Sequence, residues 1–395
     1  VANTVTTGSL TIPLMKRIGF EPHVAGAVEA TASTGGQLMP PVMGAAAFIM
    51  AEYLGVPYIE VCKAAVIPAI LYFLAIYSVV HFYSLKIGIQ GLKESEIPSL
   101  KLVLRDKWMF TIPLIVLIGI LVYGYSPRVA VLFSLLATVI ISFLRKESRM
   151  VPSKIFDAMT KTGYNCVMVV GACATAGIVI GVVLLTGMGG KITALVIAIS
   201  AGSLLLALPI VMLASILFGM GLPTVVCYVL LAATVAPSLI DLGLTPMAAH
   251  LYIFYFGMLC MVTPPVSFAA YAGAAIAKAD PMKTGWTAWT FALAGFLLPY
   301  MFVYNNSLLL MGSVVNILFA ALTSVIGVIC LGASIIGYFY RAASFHERIL
   351  LFAAALLLIK PGWATDLIGL LSVGTVIILQ IRKSGFRGPD NAAAA

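Results

Sequence analysis

The chain has 395 residues, of which 62% are hydrophobic and only 9% charged. Several apolar runs of about 18 residues or more read as membrane-crossing helices, and the polar loops between them leave no room for a soluble domain. The formal charge of +9 comes from basic residues in short loops beside those runs, where membrane topology accounts for them, so nucleic acid is not an expected partner; without strand alternation, a β-barrel is excluded.

Residues 1–17, VANTVTTGSLTIPLMKR, read as the returning half of a re-entrant hairpin. They already belong to a repeat unit, so an N-terminal truncation is expected. Gly19 to Pro57 follows, and its skeleton recurs 224 positions later: Gly19 falls on Gly243, Pro22 on Pro246, Pro40-Pro41-Val42 on Pro264-Pro265-Val266 and Pro57 on Pro281, while upstream Pro13 falls on Pro237. We read this as a duplication. Each copy sets Pro-Pro inside an apolar span, where a continuous helix would lose backbone hydrogen bonds and clash with its preceding turn. Each is therefore expected to be a helix broken at mid-depth, over 22–54 and 246–277.

Between the copies, spans are expected at 59–84, 108–125, 129–144 and 164–187, with a polar loop up to Lys107, a basic connector from Arg145 to Lys161 and a short apolar segment at 192–200. A second hairpin runs in over Ser203 to Phe218, turns at Gly219-Met220-Gly221-Leu222-Pro223-Thr224 and runs out over Val225 to Leu239, Gly and Pro between apolar arms marking the turn. Further spans are expected at 285–304, 311–340, 347–359 and 364–381. The chain thus divides into an incomplete first repeat (1–84), scaffold spans and basic loops (85–163), a second repeat (164–304) and a C-terminal helical extension (305–395). If every span crosses once, all of the 23 Lys and Arg except Lys63, Arg128, Lys191 and Lys360 fall on one side. The positive-inside rule makes that side cytoplasmic, and with it Arg382, Lys383 and Arg387 at the C-terminus. The number of crossings between the broken helices is odd, so the copies face opposite ways. The fold class read from the sequence is an all-α polytopic membrane protein, an inverted-repeat secondary transporter with two re-entrant hairpins and two discontinuous helices.

Broken helices expose carbonyls and amides that can coordinate a cation, and small residues let the backbone supply the oxygen. Cation-binding candidates are Ala2, Asn3, Thr4, Ser33, Thr34, Gly35 and Gly36 in the first half, and Gly219, Met220, Gly221, Thr224, Val262 and Thr263 in the second. Close helix packing through small residues is the competing explanation. Glu29, one turn before the first break, is an intramembrane carboxylate that can carry a proton, assist a cation, bind substrate or make a structural hydrogen bond. Gln37 can read a substrate or cap the helix end. The second copy carries Ile253 and Met261 at these two positions, so either role is asymmetric. Pro40, Pro41, Pro264 and Pro265 are the structural breaks. His23, His250, Asn165 and Asn316 are weaker candidates, FYFG at 254–257 packs lipid or neighbouring helices, and the six cysteines read as buried thiols. No transition-metal site, HExxH motif or nucleophile-base pair is seen, so an enzyme is not expected.

ANTVTTGSLTIPLMK, VEATASTGGQLMPPVMGAAAF, FGMGLPTVVCYVLLAATVAPSLIDLG and FYFGMLCMVTPPVSFAAYAGAAIA together resemble the large membrane subunit of tripartite ATP-independent periplasmic (TRAP) transporters. They resemble most the fused type, in which small and large membrane subunits form one chain and work with a TAXI-class substrate-binding protein. The resemblance implies uptake of a carboxylate-bearing organic solute across the inner membrane of a bacterium or archaeon. It implies a Na⁺ gradient (or H⁺ in some members) as the driving force, no other cofactor, and a periplasmic binding protein and membrane lipid as partners. It also implies an elevator-type motion of hairpins and broken helices against a scaffold. Two rivals stay open: an ion-coupled carboxylate carrier that needs no binding protein, and a non-transporting membrane scaffold subunit.

Overall fold

The computed structural model of the chain describes residues 1–92, 99–144, 148–359 and 362–384. Arg145, Lys360 and Arg387 lie outside the described residues, as do the side chains of Asn165, Cys173 and Lys383. The described residues form helices α1 (Ala2–Arg17), α2 (Pro22–Gly35), α3 (Ala45–Leu54), α4 (Tyr58–Ile87), α5 (Leu100–Lys107), α6 (Ile112–Val122), α7 (Pro127–Ser142), α8 (Pro152–Leu185) and α9 (Met188–Ile199). They continue with α10 (Leu204–Gly219), α11 (Thr224–Thr234), α12 (Ala236–Asp241), α13 (Pro246–Leu259), α14 (Phe268–Ala277), α15 (Pro281–Tyr304), α16 (Val314–Ile336), α17 (Phe345–Ile359) and α18 (Trp363–Ser384). Among them the only strand-like pairing is an isolated bridge between Tyr338 and Ala342. Helices α4, α15, α16 and the 363–382 part of α18 are each long and apolar enough to cross a membrane. The chain is an all-α polytopic membrane protein.

The proline and glycine punctuation places the helix ends. Pro22, Pro127, Pro246 and Pro281 each sit in the first turn of a helix, where the missing N–H is no loss. Thr245 and Asp280 accept hydrogen bonds from the first-turn amides of Ala248 and Lys283. Helix α2 stops at Gly35 and α3 resumes at Ala45; α13 stops at Leu259, passes through a tight 3-10 turn at Cys260–Val262 and resumes as α14 at Phe268. Both Pro-Pro bonds, Pro40-Pro41 and Pro264-Pro265, are cis, and the positive-φ residues Gly19 and Met43 have counterparts in Gly243 and Ser267 at the same 224-residue shift. The shift that aligned prolines in the sequence therefore aligns backbone conformation as well.

Two sequence expectations need correction. The segment after the connector is helical from Pro152, well before the expected span at 164, because backbone hydrogen bonding carries a helix on past the apolar layer into polar residues such as Lys154 and Asp157. Leu100–Lys107 is a short helix rather than loop. Of the cysteines, Cys62, Cys227, Cys260 and Cys330 are buried, whereas Cys166 lies on an exposed face of α8.

The two repeats interlock. Helix α2 packs chiefly on α14 and α15, and α4 on α15 and α16, while α13 is buried along almost its whole length. At the α2–α14 crossing a Cβ on Gly273 would stand 2.5 Å from the carbonyl oxygen of Gly26, so two bare backbones touch there. Tyr72 of α4 lies between Gly35 and Gly295, where added Cβ atoms would come within 2.2 and 2.8 Å of its ring. The aromatic run of α13 is spent on neighbouring helices, Phe254, Tyr255 and Phe256 all being at most 1% exposed. Outward faces of α6, α7, α8, α16 and α18 instead carry exposed apolar side chains such as Ile140, Leu185 and Leu371, as a lipid-facing surface requires.

The Gly26–Gly273 crossing yields a first prediction. Gly273→Ala meets rigid backbone and is expected to destabilise the protein by about 1–3 kcal/mol, read as a lowered unfolding temperature in detergent. Gly119→Ala in α6, which meets nothing within 4 Å, should leave that temperature unchanged or raise it.

Candidate functional site

The first repeat builds a polar network from two helix faces. On α1, Asn3, Thr7 and Thr11 recur every four residues and share one side; on α2, Glu29 and Ser33 do the same. Where the helices pack, Glu29 Oε1 accepts hydrogen bonds from the hydroxyls of Thr7 and of Ser33 (2.8 Å), and Oε2 accepts one from Thr11. Asn3 Nδ2 donates to Ser33 Oγ at 3.0 Å. Glu29 itself is 7% exposed. A carboxyl group in an apolar layer needs hydrogen-bond partners in place of water, and three hydroxyls supply them here.

The second repeat makes the same helix contact without any of these groups. Advancing the register by 224 turns Asn3, Thr7, Thr11, Glu29 and Ser33 into Cys227, Leu231, Val235, Ile253 and Gly257. The contact survives: a Cβ on Gly257 would lie 3.1 Å from Cys227 Sγ and 3.6 Å from Leu231. A small-residue, apolar interface on α11 and α13 thus stands where α1 and α2 carry a charged one.

In each repeat a helix end meets the break: the start of α1 lies at the end of α2, and the end of α10 lies at the turn after α13. In the first half, Asn3 meets Ser33. Thr4 is fully buried with no hydrogen-bond partner for its hydroxyl, and Ala2 is exposed, its carbonyl accepting from Thr6. The Thr34 hydroxyl is taken by the Ala30 carbonyl, and Gly35 lies under Tyr72 while Gly36 is exposed. The carbonyls of Ser33, Thr34 and Gly35 accept from the amides of Gly36, Gln37 and Leu38, so each has its second lone pair remaining. The Gln37 carbonyl accepts from the Gly44 amide at 2.8 Å across the turn, and the side chain folds against Gly44.

In the second half, Gly219 sits against Cys260, whose thiol donates to the Gly219 carbonyl at 3.1 Å. Gly221 is exposed at φ +84°, Met220 and Thr224 are half-buried, Val262 is fully buried, and the Thr263 hydroxyl donates to the Leu259 carbonyl at 2.7 Å. The 3-10 turn Cys260–Val262 also packs on α2, which brings the second break beside the first broken helix. The two halves of the expected site are therefore neighbours.

Several residues at the breaks were not expected. The carbonyl of the second proline in each pair is taken by a tyrosine hydroxyl, Pro41 by Tyr58 at 2.8 Å and Pro265 by Tyr271. These tyrosines are not at equivalent positions, so the repeat carried no sign of them. Tyr72 donates to the Thr31 carbonyl at 3.0 Å, one turn before the first break. Thr7 and Thr11 could have been found, since Asn3, Thr7 and Thr11 form a polar stripe at helical spacing. His250 is a packing residue: it is buried, its ring lies 5.7 Å from that of Tyr53 at a 44° tilt, and it shares a 2.7 Å hydrogen bond through Nδ1 with Tyr228. Asn316 lies in the first, exposed turn of α16. No group of three His, Cys, Asp or Glu side chains able to hold a metal occurs among the described residues.

Removing the hydroxyl donor that Glu29 Oε2 has among the described residues tests the network. Thr11→Val is expected to cost about 1.5–3 kcal/mol in thermal unfolding, whereas Thr6→Ala, which loses a bond within its own exposed helix turn, should stay within about 0.5 kcal/mol of the parent.

A search of curated proteins returns no match. A family model, described as Tripartite ATP-independent periplasmic transporter, DctM component, matches residues 1–317. That span takes in both broken helices, the helix ends that meet their breaks and the Glu29 network, and it ends in the first turn of α16. With most of its length matched, the chain belongs to the DctM component family of tripartite ATP-independent periplasmic transporters.

Proposed function

We propose that the chain is the permease of a fused-type TRAP system, taking up a carboxylate-bearing organic solute across the inner membrane by secondary active transport. The reading is carried by one observation: two helices broken at the same register, each met at its break by a helix end of its own repeat, lie side by side. Paired breaks of this kind place backbone oxygens and amides inside the protein where water is scarce, the arrangement by which such transporters hold a cation and a carboxylate.

In this reading the coupling ion, Na⁺ or H⁺, is held at the first break by Ser33, Thr34, Gly35 and Gly36 with Ala2, Asn3 and Thr4. A second position uses Gly219, Met220, Gly221 and Thr224 with Val262 and Thr263. Glu29, tied to Ser33 and through it to Asn3, transmits occupancy of the first position to the α1–α2 contact, and Gln37 beside the break contacts the solute. The repeats are of opposite orientation with the C-terminus cytoplasmic, and a TAXI-class periplasmic protein delivers the substrate. Elevator-like movement of the hairpins and broken helices against a scaffold alternates access.

Uptake of a labelled organic acid into proteoliposomes, with and without the binding protein and under imposed Na⁺ or H⁺ gradients, is the test. Gradient-dependent accumulation that requires the binding protein is expected. Uptake without it identifies a self-sufficient carrier, and no uptake and no stabilisation by any cation identifies a scaffold subunit. Glu29→Gln, which keeps one side-chain oxygen for the hydroxyls of Thr7 and Ser33 and sets an amide N–H against that of Thr11, should lower uptake about tenfold or more, roughly 1.4 kcal/mol, and affect uptake more than unfolding temperature. Unaltered uptake and ion dependence would remove Glu29 from the mechanism.

A further inference from the structure

Where the matched residues end, the end of α15 and the starts of α16 and α18 border a cavity of about 390 Å³. Polar groups converge on it from three segments: Asn305 and Ser307 after α15, Asn316 and Thr323 on α16, and Asp366 in the first turn of α18. Asp366 is 3% exposed, and its Oδ1 is shut off from solvent without a hydrogen-bond partner. A buried carboxylate oxygen with nothing to accept is costly, and a cavity beside it is where the missing donor belongs.

Three further features define the occupant. First, α16 and α18, both longer than twenty residues, begin at this cavity, and their first-turn amides favour an anion. A carboxylate and two helix N-termini on one cavity match a group carrying both charges. Second, the cavity is far from a closed ion cage: Trp363 on its rim is 82% exposed, whereas an inorganic cation draws its oxygens in to about 2.5 Å. Third, the outer faces below it are apolar and uncovered, with Val315, Leu318 and Leu322 on α16 and Leu367 and Leu371 on α18 all more than half exposed. An exposed tryptophan at the end of such a face is where lipid headgroups lie.

We propose that this cavity binds the headgroup of a phospholipid bearing a primary ammonium, the Asp366 carboxyl turning to bring Oδ1 to the ammonium and the phosphate resting at the N-terminal ends of α16 and α18. The primary amine is the discriminating feature. Its three N–H groups satisfy the orphaned oxygen, while a quaternary trimethylammonium has the same charge and no hydrogen to donate. The site would fix the C-terminal helices to lipid at the junction with the family-matched part of the chain.

The full chain, purified in mild detergent and exchanged into equimolar phosphatidylethanolamine and phosphatidylcholine, is assayed for retained lipid by native mass spectrometry. Retention of phosphatidylethanolamine at least fivefold above phosphatidylcholine is expected, with partial N-methylation of the amine reducing the ratio. Asp366→Asn should bring the ratio below twofold, while Gly119→Ala, on α6 with nothing within 4 Å of the added Cβ, leaves it intact. Equal retention of the two lipids by the parent protein overturns the proposal, and needs no variant to be folded. So does a preference that survives in a folded Asp366→Asn, or displacement of the lipid by Na⁺ at concentrations where choline chloride has no effect, which would assign the cavity to an inorganic cation.

Discussion

A helix interrupted inside an apolar layer leaves backbone groups that water cannot reach, and the architecture around residues 36–44 and 260–267 is arranged to satisfy them. Pro-Pro removes two amide donors at each break, which lowers the number of orphan N–H groups but leaves the carbonyls. Tight turns answer for some of these, as at Ser33, Thr34 and Gly35, and tyrosine hydroxyls for others, as at Pro41 and Pro265. Tyr58 and Tyr271 reach the equivalent carbonyl in their respective repeats from different elements, α4 in one case and α14 in the other. The requirement is therefore on the hydrogen bond and not on the residue's place in the repeat.

The near-symmetry of the backbone makes the asymmetry of the side chains informative. A single α-helical contact, α1 on α2 or α11 on α13, is built once from threonines around a carboxylate and once from Gly257, Cys227 and Leu231. Both satisfy the same packing geometry. Apolar packing needs no polar partner and holds the helices by close approach, whereas the Glu29 version holds only while its three hydroxyls point inward. The first contact therefore responds to anything that competes for Ser33 or for the carboxylate, and the second has nothing to respond with.

Membership of the family rests on the matched residues, and the C-terminal helices beyond them have their own polar logic. Glu347, 1% exposed, binds Arg341 at 3.1 Å, the Ser344 amide at 2.9 Å and Gln380 at 3.1 Å, so the turn before α17 is tied to α18. Lys86 at the end of α4 donates to the Ile336 carbonyl at the end of α16. These bonds fasten α16–α18 to the long helix of the first repeat.

What the sequence by itself determined is everything that depends on local chemistry and on recurrence. Apolar composition required helices, Pro-Pro within apolar runs required breaks, and the 224-residue shift paired them; the helices end at Gly35 and Leu259, five residues before each proline pair. Glu29 stood out in the sequence because a lone carboxylate in such a run needs hydrogen-bond partners. Tertiary structure decided who answers that carboxylate, since Thr7 and Thr11 become its partners only when α1 lies on α2. It also decided that Tyr72 fits between Gly35 and Gly295, that the α13 aromatics face protein and not lipid, and that Asp366 is buried beside a cavity. Those outcomes turn on which faces meet across hundreds of residues, and periodicity along one segment carries no information about the segment opposite.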